Sequence, residues 1–131
     1  MNWQEEMNLL NDDQLKRIAF APKNSWGFYY GGKEDGGKCC IVGHIFDGFK
    51  QSKFVTMQKE YLEVMNKYIF DVIGKRKGIE WGKTPLEVYY MAGVGANGNM
   101  SKYRIKNIQD YAKHLLEQRR MRIQEERVIE I

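Results

Sequence analysis

Residues 26–46 read WGFYY-GGKEDGG-KCCIVGHIF, and this stretch decides the fold class that the sequence predicts. The run from Trp26 to Tyr30 is rich in aromatic residues, and the run from Lys38 to Phe46 is apolar and β-branched. Both compositions favour pleated strands. The glycines of residues 31–37 supply the positive φ angles that a chain reversal needs. The stretch therefore predicts a β-hairpin.

Helical patterns surround the predicted hairpin. Apolar residues recur at helical spacing from Trp3 to Phe20, which predicts one or two helices there. A second pattern of this kind runs from Ser52 to Ile73. Thr84-Pro85 is a typical helix start, with a cap followed by proline at the first helical position. A last helix is expected to open at Ser101, with an apolar seam that ends near Leu116.

The order of these elements predicts an α+β fold in a single domain, residues 1–131. A β-hairpin of two to three antiparallel strands is expected to pack against three to four helices, with a long C-terminal helix. The helices have to cover one face of the hairpin because an isolated hairpin is marginally stable in water. A chain of this length builds one core without disulfides or metal.

Composition and charge set few limits on function. The chain is 43% hydrophobic and 29% charged, and its net charge of +4 permits a polyanionic partner without requiring one. The first six residues are polar and acidic, so no secretory signal is expected there. No apolar run is long enough to span a bilayer, which predicts no membrane partner. The adjacent Cys39 and Cys40 lack a usable disulfide partner, which predicts a reducing, cytoplasmic location.

The glycine-rich segment Gly93–Gly98 matches the G-x-G-x-x-G pattern of dinucleotide-binding folds. That fold needs a strand before the glycines and a second strand with an acid after the next helix, and the sequence offers neither. A flexible connection between two helices is the simplest interpretation. The alternative is a ligand loop, in which backbone N–H groups at the start of the last helix hold a phosphate. Its residues are Gly93, Gly95, Gly98 and Ser101.

Cys39, Cys40 and His44 are the soft or imidazole ligands that lie near one another in the sequence. On a strand, Cys40 and His44 share a face but stand about 13 Å apart, too far to bind one zinc ion or to form a catalytic dyad. Two small buried hydrophobes are the simpler interpretation. Carboxylate pairs such as Glu5-Glu6 are expected on helix starts or exposed ends, where acids interact favourably with the helix dipole or with water. We therefore predict no catalytic residues, no metal and no cofactor.

Positive charge concentrates towards the C-terminus. Residues 101–131 hold eight basic residues against five acidic ones, a net charge of +3. Such a helix is able to lie along phosphates or to enter a groove, whereas a solvated or partner-facing helix is the simpler interpretation. The predicted phosphate or nucleic-acid contacts are Lys102, Arg104, Lys106, Lys113, Arg119, Arg120 and Arg122.

Trp26 and Tyr29 of the first predicted strand make up a candidate aromatic face. Aromatic side chains on an open sheet beside lysines stack on bases. The simpler interpretation is that Trp26, Phe28 and Tyr30 form one inward face.

Two functions fit these patterns best. The first is a small intracellular, non-enzymatic binding protein that occupies a phosphate-bearing ligand, a nucleic acid or a nucleotide, through the basic C-terminal helix. The alternative is a protein–protein interaction module, such as a small regulator or inhibitor of a larger host or viral machine, with a homo-oligomer as one form of it. An enzyme is the third class, since small enzymes assemble sites from residues far apart in sequence.

Overall fold

The computed structural model describes residues 1–27, 40–46, 63–74, 83–92 and 102–129. Helices account for 76% of these residues, and no β-strand occurs among them. The predicted α+β class, with a hairpin as its centre, is therefore wrong. In the described part of the chain the core is built mainly from helices, with Leu10, Trp26 and Cys40 contributed by the segments between them.

Two short helices open the chain: α1, Trp3–Met7, and α2, Asp12–Ala19. Each begins with a capping box, in which an asparagine side chain and the side chain three residues later accept hydrogen bonds from each other's backbone N–H groups. The asparagines are Asn2 and Asn11. Both helices fall within the range that the sequence predicts as helical.

The second predicted strand, Lys38–Phe46, is a short helix over Ile41–Ile45, here α3. Its β-branched residues are buried in the core, so tertiary packing overrides their local preference for a strand. Arg17 of α2 donates a hydrogen bond from Nε to the last carbonyl of α3 at 2.9 Å. Carbonyls at a helix end lack partners within the helix, so this bond stabilises the helical form. Residues 28–39, the rest of the predicted hairpin, lie outside the described residues.

The predicted helix Ser52–Ile73 is helical over the part that is described. Residues 63–67 are α-helical and continue into a π-helical segment, Tyr68–Ile73. Gly74 follows with φ of 81°, a left-handed conformation that glycine adopts without steric cost and that commonly ends a helix. Residues 52–62 are outside the described part.

Two further helices complete the described chain. α4 spans Pro85–Met91, and Thr84 caps it by accepting a hydrogen bond from the N–H of Glu87. α5 spans Lys102–Ile129, which corresponds to about 42 Å at ~1.5 Å per residue. The last helix expected from the sequence is thus present, and the elements that pack on it within the described residues are helices.

The core lies between α5 and the shorter helices, and α2 makes the most extensive contact with α5. Ile108, Ala112 and Leu115 are buried on one face of α5, spaced by four and three residues. They belong to the same hydrophobic cluster as Leu15 and Ile18 of α2. This spacing is the amphipathic pattern that the sequence analysis identifies as the apolar seam.

The C-terminal part of α5 extends past this core. Leu116 still packs against the hydrophobic cluster, whereas every residue from 120 to 127 is exposed. In the described part of the chain, no helix has both the length and the apolar character needed to cross a membrane.

Candidate functional site

The basic residues of α5 that the sequence predicts as phosphate contacts lie on two sides of the helix, one packed against the protein and one exposed. Arg104 lies on the packed side. Its guanidinium lies over the ring of Tyr89, 4.6 Å from the centroid, and donates a hydrogen bond to the Tyr89 carbonyl at 3.3 Å. Trp3 stacks on the same tyrosine ring with the centroids 4.5 Å apart. Arg104 therefore connects α5 to α4 and α1, which is a structural role.

Arg119 is also engaged within the protein. Its guanidinium donates to the carboxylate of Asp12 at 2.9 Å and to the backbone carbonyl of Asn8 at 3.2 Å. The arginine side chain is 28% exposed, so the pair is partly shielded from water. Because Asp12 begins α2, this contact fixes the start of α2 against α5.

The exposed side of α5 carries a line of basic residues. Lys106, Lys113, Arg120 and Arg127 recur every seven residues, and Lys102 lies one turn before the first of them. All five side chains are exposed. A seven-residue repeat drifts by only about 20° per step around an α-helix, so the residues stay on one face. We call Lys102, Lys106, Lys113, Arg120 and Arg127 the basic stripe.

Two acidic residues lie beside the basic stripe. Asp110 accepts a hydrogen bond from Lys106 at 2.7 Å, and Glu117 accepts from Arg120 at 2.5 Å. These hydrogen bonds lower the pKa of both carboxyl groups, and the bond to Glu117 raises the pKa of Arg120. All four side chains are more than half exposed, so water and salt screen the pairs strongly. These lysine and arginine groups therefore remain able to exchange a carboxylate for another anion.

Three members of the basic stripe lack such a partner among the described residues. Within the described residues, Lys102, Lys113 and Arg127 make no ion pair of 4.0 Å or less. Arg127 is not among the contacts predicted from the sequence, and the seven-residue spacing is the signal that identifies it. Arg122 is exposed but lies away from the stripe, on the side of α5 that carries Arg104.

The other predicted site residues divide into a buried one and several outside the described part. Trp26 is only 5% exposed and packs on His44, with the ring centroids 4.0 Å apart, and on Tyr90. Its indole is thus part of the core rather than of an open stacking surface. The glycine loop with Ser101, and Tyr29 of the candidate aromatic face, lie outside the described residues.

The relation of Cys40 to His44 differs from the strand-based expectation. Because α3 is a helix, the His44 backbone N–H donates to the Cys40 carbonyl at 3.1 Å, and the two residues are helical neighbours instead of lying about 13 Å apart. The His44 ring faces elsewhere: its Nε2 donates to the Ser25 carbonyl at 2.8 Å. Burial lowers the pKa of His44, so the neutral imidazole is favoured. No cluster of three or more metal-ligating side chains occurs among the described residues.

A buried carboxylate is the feature that sequence reasoning missed. Glu6 is fully buried, accepts a hydrogen bond from the N–H of Leu86 at 2.9 Å, and accepts another from the hydroxyl of Tyr68. Glu5 and Glu6 lie in the first turn of α1, in line with the helix start expected for them, but the favourable interaction with the helix dipole or with water expected there does not describe the buried Glu6. Two adjacent acids in the first turn of a helix give no signal that one of them points inward.

Burial governs the titration of this group of side chains. It raises the pKa of Glu6 and, together with the nearby carboxylate of Glu6, raises the pKa of Tyr68. Thr84 donates to the carboxylate of Glu87 at 3.0 Å in the same buried region. Glu6 has no exposed surface, so this group links α1, the π-helical segment and α4 rather than offering a surface to a ligand.

Comparison with known proteins adds no relative: no family model, no curated protein and no solved structure is significantly similar to this chain. The basic stripe on α5 is the arrangement of exposed charge that the described residues present most clearly. Its chemistry is that of anion binding, since lysine and arginine donate to phosphate oxygens.

Proposed function

We propose that this protein binds a phosphate-bearing ligand, a nucleic acid or a nucleotide, through the basic stripe of α5, and that it acts by occupying that ligand. One observation carries the proposal: five basic residues lie along one exposed face of a helix whose opposite face is packed in the core. Because the core holds α5 in place, its charged face is fixed before the ligand arrives. The proposed ligand loop at Gly93–Gly98 remains a prediction from the sequence, as does a cytoplasmic location.

The test compares two double variants with the same loss of charge. Lys113→Ala with Arg127→Ala removes two stripe residues that have no ion pair within the described residues, and Lys16→Ala with Lys23→Ala removes two exposed lysines elsewhere. Binding to duplex DNA is measured by fluorescence anisotropy over a range of salt concentrations. The first variant is expected to reduce the slope of log affinity against log salt by about 2, since each phosphate contact contributes about 0.9.

The matched control separates a defined contact surface from a general effect of charge. The variant at Lys16 and Lys23 is expected to keep the slope within about 0.5 of the native protein, because those residues touch no phosphate. An equal loss in both variants would show that only the net charge matters and would overturn the proposal. So would an absence of salt-dependent binding in the native protein.

A second candidate function, a protein–protein interaction module, is supported by the exposed end of α5. Met121 and Ile123 are about half exposed there, at 50% and 49%, and exposed apolar side chains are a feature of interface cores. This candidate predicts a stable complex with a protein or a homo-oligomer, and no affinity for DNA. Replacing Met121 and Ile123 by Ser is expected to abolish that complex, as measured by sedimentation, whereas the Lys113 and Arg127 variant is expected to retain it.

A further inference from the structure

The basic stripe is long as well as exposed. From Lys102 to Arg127 it covers 25 residue steps, which corresponds to about 38 Å along α5 at ~1.5 Å per residue. Neighbouring members at seven-residue spacing have their Cα atoms about 10 Å apart along the helix axis. The charges are therefore spread along a rod and do not surround one point.

This spacing restricts the kind of ligand. The phosphates of a single nucleotide form one short chain, so at most two neighbouring stripe residues converge on them. A linear polymer with a phosphate at every repeat offers phosphates along the full ~38 Å of the stripe. A duplex rises ~3.4 Å per base pair, so the length of the stripe corresponds to about 11 base pairs.

We infer that the ligand of the basic stripe is a linear phosphate polymer, a nucleic acid strand or duplex, and not a mononucleotide; this inference rests on the proposed function. The acidic residues Asp110 and Glu117 fit the same conclusion, because they interrupt the positive charge between stripe members. A compact anion placed between Lys106 and Lys113 meets Asp110 as well. An extended polymer also reaches the ends of the stripe, where no acid among the described residues pairs with Lys102 or Arg127.

The experiment measures the salt slope for duplex DNA of about 6, 12 and 24 base pairs, lengths chosen around the ~11 base pairs that match the stripe. The slope reports the number of phosphates neutralised, whereas affinity alone also rises with the number of overlapping binding positions on a longer duplex. We expect the slope to increase from the shortest to the middle duplex and to stay constant beyond it. ATP is expected to compete at least about 100-fold more weakly than the middle duplex, because it meets fewer basic residues.

The two ends of the stripe provide a variant test. Lys102→Ala with Arg127→Ala is expected to lower the slope by about 2 for the longest duplex and by no more than about 1 for the shortest, which is too short to reach both ends of the stripe at once. Inorganic polyphosphate is a second probe, which tests whether the ligand needs sugar and bases as well as phosphates. A salt slope that depends on chain length as it does for DNA supports the polymer inference and shows that a phosphate chain alone is sufficient for binding.

Failure of this inference and failure of the proposed function give different results. A slope that is equal for all duplex lengths, or ATP competing as well as DNA, overturns the polymer ligand while salt-dependent binding through the stripe still stands. No salt-dependent binding to any of the probes overturns the proposed function itself.

Discussion

Single residues of the buried group make stability depend on pH, and Glu6 is the first case. Burial raises its pKa from the ordinary 4.5, so the folded protein holds the Glu6 proton more tightly than the unfolded chain does. The stability that this proton contributes is complete below pH 4.5 and is lost as the pH rises through the raised pKa. Replacing Glu6 by Gln removes this dependence. The free energy lost by the variant, about 1–2 kcal/mol near pH 4.5, is expected to become smaller as the pH rises in urea unfolding.

The neighbouring acid serves as the control for this prediction. Glu5 is exposed and accepts the N–H of Asn2 in the capping box, a role that Gln also fills. Glu5→Gln is therefore expected to change stability by less than about 0.5 kcal/mol at any pH in the same series. A Glu6→Gln effect that does not vary with pH would contradict the buried, titrating carboxyl.

His44 is expected to act in the opposite direction. Its pKa is lowered from 6.5 by burial, so the unfolded chain binds the proton more readily than the folded one. Stability is then fully present above pH 6.5 and falls as the pH drops through the lowered pKa. His44→Gln, which keeps an N–H donor for the Ser25 carbonyl, is expected to reduce this loss when thermal midpoints are compared between pH 7.5 and pH 5.5.

The second histidine of the chain separates this effect from a general response to acid. His114 lies on the exposed side of α5, and His114→Gln leaves His44 in place. That variant is expected to lose stability on acidification as the native protein does. If His114→Gln rather than His44→Gln removed the pH dependence, the role given to His44 would be wrong.

At the level of elements, the helices stabilise one another through their ends. The Gln109 amide donates from Nε2 to the carbonyls of Ile18 and Ala21, each at 3.1 Å, where α2 ends. No further turn of α2 follows to supply N–H groups to these carbonyls, and the Ile18 carbonyl otherwise accepts only the long hydrogen bond from the Ala21 N–H at 3.4 Å and the cap contact from Phe20 among the described residues. Gln109→Leu is expected to lower the free energy of unfolding by about 1–2 kcal/mol in urea. Gln118→Leu on the exposed side of α5 changes the same atoms and is expected to cost less than about 0.5 kcal/mol.

Local signals predict the described helices well where a cap defines them. The Thr84 cap of α4 and the helices between Trp3 and Phe20 could be found from capping residues and spacing, because those interactions lie within a few residues. α3 could not be found in this way. Its β-branched residues prefer strands when isolated, and the contacts that make it helical come from α2, including Arg17, far away in the sequence.

At the level of the whole molecule, the sequence indicates how much charge is present but not which side of α5 presents it. The seven contacts predicted on the basis of charge include Arg104 and Arg119, which the structure uses to join helices. The partners Tyr89 and Asp12 lie 15 and 107 residues away in the chain. Once the buried face of α5 is known, the helical periodicity is enough to assign each basic residue to the packed side or to the exposed side. The same periodicity shows that Arg127 belongs to the basic stripe.

Stability and binding are expected to depend on different parts of the molecule. A chain that ends after Arg119 lacks residues 120–127, all of them exposed, and with them Arg120 and Arg127 of the stripe. Its free energy of unfolding is expected to stay within about 0.5 kcal/mol of the native value. Its salt slope for duplex DNA is expected to fall by about 2.

The reverse variant completes this argument. Leu115→Ala removes a side chain that is 3% exposed in the core and leaves every stripe residue in place. It is expected to cost about 2–5 kcal/mol of stability while the folded fraction keeps the native salt slope. If the shortened chain unfolded, the end of α5 would belong to the core. If it bound DNA with an unchanged salt slope, the end of α5 would lie outside the binding surface. The two results together, native stability with a reduced salt slope in the shortened chain and reduced stability with a native salt slope in Leu115→Ala, assign packing to one face of α5 and the ligand to the other.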